Sequence, residues 1–154
     1  MSKVVLIITH GDQDGAMCAG LLGQVFPDAS IFVLAVPARS LNLDNEEDWQ
    51  VNEDKFKQYR EYYKDKIISK ITRTREKNLI IIADIGIVSY FKEAIFEKLK
   101  KEKSIKFIIF DHHIDPKINH PRVRVFYENV NNAYEIIRRW RKSPENYIPR
   151  SQNR

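Results

Sequence analysis

The chain has 154 residues, a length suited to one domain with a real hydrophobic core. Charged residues make up 31% and the formal net charge is +5, with a pI near 9.3, a balance that permits a polyanionic partner without requiring one. A single cysteine, Cys18, excludes an intrachain disulfide, and no apolar stretch approaches the ~20 residues of a membrane helix; the expectation is a cytoplasmic chain with no membrane partner and no secretory signal.

Residues 3–10, KVVLIITH, form a β-branched run of the kind a strand buried on both faces requires. Residues 15–26 are small and apolar and read as a tightly packed helix, weakened at Gly20 and Gly23. A second strand spans 30–37 and stops at Pro37, before a polar loop. A long charged helix covers 53–76, with Phe56, Tyr59, Tyr63, Ile67 and Ile71 as its apolar stripe; packing explains that stripe better than base stacking does. The third strand is 78–86, NLIIIADIG. An amphipathic helix follows over 89–101, with Val88, Phe91, Ile95 and Leu99 marking its apolar face. The fourth strand is SIKFIIFDHH, a fifth covers 122–128, and a last helix covers 131–142. Residues 1–142 are expected to form one domain and 143–154 a loose tail. Strands alternating with helices define an α/β fold: a mostly parallel, Rossmann-like sheet with helices on both faces.

In such sheets ligands bind at the carboxyl ends of the strands. Three strands end there in acids or histidines: His10, Asp12 and Asp14 after the first, Asp84 after the third, and Asp111, His112 and His113 after the fourth. In extended chain His10, Asp12 and Asp14 would project from one face, with Gly15 permitting a sharp turn into the helix. Asp12, Asp14 and Asp84 gathered within a few ångströms would repel one another, and a divalent cation removes the conflict. Carboxylates with imidazole suit Mn²⁺, Mg²⁺ or a similar ion, whereas the lack of thiolates argues against structural zinc.

HGDQDG, IIIADIG and FDHH, in this order, resemble three motifs of the DHH phosphoesterase superfamily, in its RecJ-like form; the match spans about residues 3–115. The resemblance implies a metal-dependent phosphoesterase with one or two Mn²⁺ or Mg²⁺ ions and a nucleic-acid or nucleotide substrate. It assigns Asp12, Asp14, Asp84 and His112 to the metal, and His10, Asp111 and His113 to catalysis. Within that assignment Asp111 stands behind His112, His113 touches phosphate, and His10 completes an ion's shell or touches phosphate. The family also has a fourth motif, carrying a further Asp ligand, well beyond the DHH triplet. Only 41 residues follow His113 here, and none is an obvious substitute. Two further readings therefore stand beside the enzyme: a non-catalytic DHH-type module of a DNA replication or repair assembly, and one subunit of a split phosphoesterase whose partner supplies the missing Asp.

Arg138, Arg139, Arg141 and Lys142 surround Trp140. They form either a weak nucleic-acid-binding patch with a stacking aromatic or, more ordinarily, a solvated helix face with Trp140 docked on the core. Cys18, among small apolar residues, reads as a buried core thiol, and His120 as an exposed loop residue.

Overall fold

In the computed structural model, the described residues are 4–36, 62, 65–73, 79–85, 92–112 and 115–142. They contain strands β1 (Val4–His10), β2 (Ser30–Val36), β3 (Leu79–Ala83), β4 (Lys106–Asp111) and β5 (Val123–Tyr127). The helices are α1 (Gln13–Val25), α2 (65–73), α3 (Lys92–Lys101) and α4 (Ala133–Lys142). The strands form one sheet in the order β2-β1-β3-β4-β5, parallel throughout. This is the expected α/β architecture. Residues 37–61 with Phe56 and Tyr59 of the expected stripe, its Tyr63, Val88, Phe91 and the 143–154 tail lie outside the described residues.

Alternation along the strands splits the core into two layers. Leu6, Ile8, Ile80, Ile82, Phe107 and Ile109 face one side, where Ile67 and Ile71 of α2 and Ala94, Ile95 and Leu99 of α3 cover them. Val5, Ile7, Leu79, Ile81 and Phe110 face the other, under Cys18, Leu21 and Leu22 of α1 and Ile136, Ile137 and Trp140 of α4. The inner strands are apolar on both faces because helices cover both.

Trp140 docks on the core. Its ring meets Phe110 edge-on at 5.2 Å, and Phe110 stacks on Phe126 at 5.1 Å. Such pairs contribute about 0.5–1.5 kcal/mol each beyond the area they bury. Trp140 is buried, so it is not an exposed stacking platform for a strand crossing this helix face. Arg138, Arg139, Arg141 and Lys142 are exposed, but Arg139 pairs with Glu128, and Arg141 donates to Gln24 Oε1 at 3.0 Å, tying α4 to α1.

Two buried or half-buried cations fasten the opposite layer. Lys98 Nζ lies 2.7 Å from Glu102 Oε1 and 3.5 Å from the Thr72 carbonyl, linking α3 to α2. Arg122 donates to the carbonyls of Leu99, Glu102 and Ile105 at 2.5, 2.6 and 3.2 Å, satisfying the open carboxyl end of α3. His120 is half-buried rather than exposed, its Nδ1 accepting from the Arg122 N–H at 3.1 Å.

Helix α1 starts at Gln13, two residues earlier than its apolar run suggests, because Asp12 caps it: Asp12 Oδ1 accepts from Gly15 N at 2.8 Å. Gly15 is therefore inside the helix and has no positive φ; the turn expected there does not exist. Glycine is needed for closeness instead. A Cβ at Gly15 would sit 1.8 Å from His10 O and 2.9 Å from Thr9 Oγ1, whereas one at Gly20 would meet open space. Gly15→Ala should thus cost at least ~3 kcal/mol in urea unfolding, while Gly20→Ala should add ~0.5–1 kcal/mol by helix propensity alone. Equal effects at the two positions would refute this packing account.

Candidate metal centre

Register builds the site. Thr9 pairs with Ala83 and Ala83 with Phe110, so the next residues of three adjacent strands, His10, Asp84 and Asp111, fall in one row across the carboxyl edge of the sheet. Asp84 N donates to Phe110 O at 2.9 Å, holding that row together just past the end of β3. All three residues are buried, Asp84 to 3% exposure and Asp111 to 1%.

Asp84 has φ 63°, in the left-handed region. Aspartate tolerates that conformation better than most residues, yet it costs of order 1–3 kcal/mol and persists only where neighbours enforce it. Here it turns the chain sharply out of β3 while the Asp84 N–H stays bonded to β4.

One donor atom each from His10, Asp12 and Asp84 lie within 4.8 Å of one another. Asp12 serves two ends: it caps α1, with Oδ1 accepting from Gly15 N, and it contributes a carboxylate oxygen to the cluster. His112 joins from the residue just past β4, with Nε2 3.1 Å from Asp84 Oδ1, and its side chain is 19% exposed. The chain therefore brings together His10, Asp12, Asp84 and His112, with Asp111 in the same row. Asp14 stands apart from the three-residue group; the helix has begun before it, so His10, Asp12 and Asp14 do not share an extended face. His113 lies outside the described residues.

The donor set fits a hard or borderline divalent ion: one imidazole, two carboxylates and no thiolate. The field of the cluster registers on Cys18, four residues along α1 from Asp14 and fully buried. Burial, then the negative charges of Asp84, Asp14 and Asp12, push its thiol up to about 12 from 9.0. Sequence reading recognised the buried thiol and missed the acids beside it, as it missed the contact of Gly15 with His10.

Comparison with known proteins shows the family and the fold. A family profile described as the DHH family, N-terminal domain, matches residues 4–150, and the chain belongs to that family. Among solved structures, the exonuclease RecJ bound to manganese is similar over 96% of this chain and 35% of that one, with a TM-score of 0.55 and 14% identity. An exopolyphosphatase-related protein from Bacteroides fragilis is similar over 90% of this chain and 38% of that one, with a TM-score of 0.47 and 16% identity. This chain thus spans little more than a third of either protein. No curated protein matches it. No helix among the described residues is long and apolar enough to cross a membrane.

The raised thiol has a sign that can be checked. A group whose folded pKa lies above its unfolded value contributes stability that is whole below pH 9 and is lost as the pH rises towards about 12. Cys18→Ala should remove that part of the alkaline loss, so urea midpoints of the two proteins should converge between pH 9 and 12. Parallel pH profiles would refute it.

Proposed function

We propose that this chain is a metal-dependent phosphoesterase domain that hydrolyses phosphodiester bonds in single-stranded or short nucleic acid. The convergence of His10, Asp12 and Asp84 at the strand ends of a DHH-family domain carries the reading. In this proposal His10, Asp12 and Asp84 hold the ion, Mn²⁺ or Mg²⁺. A bound ion of this class supplies Lewis acidity towards phosphate and a hydroxide-like water near neutral pH.

The chain's own side chains do the rest. His112, bonded to Asp84, orients that carboxylate and lends a further nitrogen to the shell. Buried Asp111 stands behind His112, and Asp14 and His113 keep their assignments as metal ligand and phosphate contact. The Asp12 cap fixes the start of α1 at the cluster. Likeness to RecJ, an exonuclease bound to manganese, supports both the ion and the substrate class. The net charge of +5 is compatible with a polyanion.

A second reading is favoured by the donor count. The described residues gather His10, Asp12 and Asp84 within reach of one another, with His112 beside Asp84, enough for a single ion and short of a two-ion clamp. A non-catalytic module of a replication or repair assembly, or one subunit of a split phosphoesterase completed by a protein partner, would be built this way.

Metal binding is tested first. Saturating Mn²⁺ should raise the melting temperature by ~5–10 °C, and Asp84→Asn, which tolerates the same backbone conformation, should abolish the rise. No shift in the wild-type protein would refute the metal centre. Hydrolysis of a short single-stranded oligonucleotide, lost in Asp84→Asn, separates the enzyme from the second reading: Mn²⁺ binding without turnover favours the module or the incomplete subunit.

A further inference from the structure

At the other end of the sheet, where β3, β4 and β5 begin, lies a cavity of about 260 Å³. It is five residues down β3 from Asp84, or ~16 Å along the strand. Phe26, Leu79, Ile108 and Trp140 give it an apolar wall, and Lys106 and Arg124 stand at its polar rim. None of its lining residues is acidic.

The two cations share a layer. Register pairs Arg124 with Ile108 and places Lys106 two residues before it, so all three belong to the face of the sheet that α1 and α4 cover. Both cations are exposed, and neither has an anionic partner among the described residues. Arg122 also lines the cavity, but its guanidinium is committed to the carbonyls at the end of α3.

We propose that this cavity binds a nucleoside monophosphate, with the base against the apolar wall and the phosphate between Lys106 and Arg124. An apolar wall beside two unpaired cations selects a ligand that is flat and apolar at one end and anionic at the other. The volume lies just below the usual range of ligand pockets, about 300–1,000 Å³, and so has room for at most one nucleotide and not for an oligomer. The site is separate from the carboxylate end, and the inference stands whether or not that end is catalytic.

Tryptophan fluorescence reads the site directly. The chain has two tryptophans, Trp49 and Trp140, so a Trp49→Phe background leaves Trp140 as the reporter. Adenosine monophosphate, titrated in the presence of chelator, should change its emission saturably. Combining Lys106→Glu with Arg124→Glu should weaken binding about tenfold or more. Asp84→Asn, at the opposite end, and Lys100→Glu, on α3, should leave the affinity unchanged. Circular dichroism checks that each variant folds, and Lys106→Gln with Arg124→Gln replaces the double reversal should that one not fold. No saturable change up to about 10 mM would overturn the proposal. So would equal affinity in the rim variants, or loss of binding in Asp84→Asn. Inorganic phosphate binding as tightly as the nucleotide would also overturn it, because the apolar wall would then contribute nothing.

Discussion

Everything at the carboxyl edge depends on one register. Parallel pairing of β1 with β3 and of β3 with β4 leaves His10, Asp84 and Asp111 level with one another. A slip of one residue in either pair would turn each affected side chain to the other face of the sheet and scatter the row. The register is enforced from both sides, because Val5–Ile8, Leu79–Ala83, Phe107, Ile109 and Phe110 are all buried in one of two apolar layers. Tight packing of that kind cannot be re-registered without exposing several large apolar side chains at once, at about 1.5–3 kcal/mol each. The polar cluster is thus positioned by hydrophobic contacts that it takes no part in.

The second constraint is the approach of α1 to β1. Gly15 brings the helix backbone against the carbonyl of His10 itself, and Asp12 is both the cap of that helix and a member of the donor cluster. Helix start and metal candidate are therefore one construction. The amino end of α1 sets the positive end of its dipole at Asp12, a member of the cluster, offsetting part of the carboxylates' repulsion. What repulsion remains is felt by Cys18, whose thiol is held neutral.

Much of this is legible in the residues. Val4–His10, Leu79–Ala83 and Lys106–Asp111 are too uniformly apolar and β-branched to be anything but strands covered on both faces, and the order of elements then leaves an α/β parallel sheet. Polar residues that interrupt such runs at the same end of three strands point to a shared site. Other features needed the third dimension. GDQDG looks like a turn, and only the Asp12-to-Gly15 hydrogen bond reveals a helix that has already begun; the cue available in sequence was an Asp three residues ahead of a small residue at a helix start. That start also moves Asp14 onto a helical turn, which alternation along an extended chain cannot foresee. Arg122 was invisible in another way: its partners are three carbonyls 17 to 23 residues earlier, and carbonyls carry no sequence signal.

The charge of the chain is divided by the same sheet. Asp12, Asp14, Asp84 and Asp111 collect where β1, β3 and β4 end, while Lys106, Arg122 and Arg124 collect where β4 and β5 begin. A net charge of +5 averages over these two ends and describes neither. An anionic substrate approaching the carboxylate end meets like charge, so phosphate can be held there only after a cation has reversed the local field. The opposite end needs no such help, because its cations face solvent with no acid among the cavity's lining residues. Anion binding at the carboxylate end is therefore conditional on a metal ion, and at the amino end it is not, although both ends are built from one set of strands.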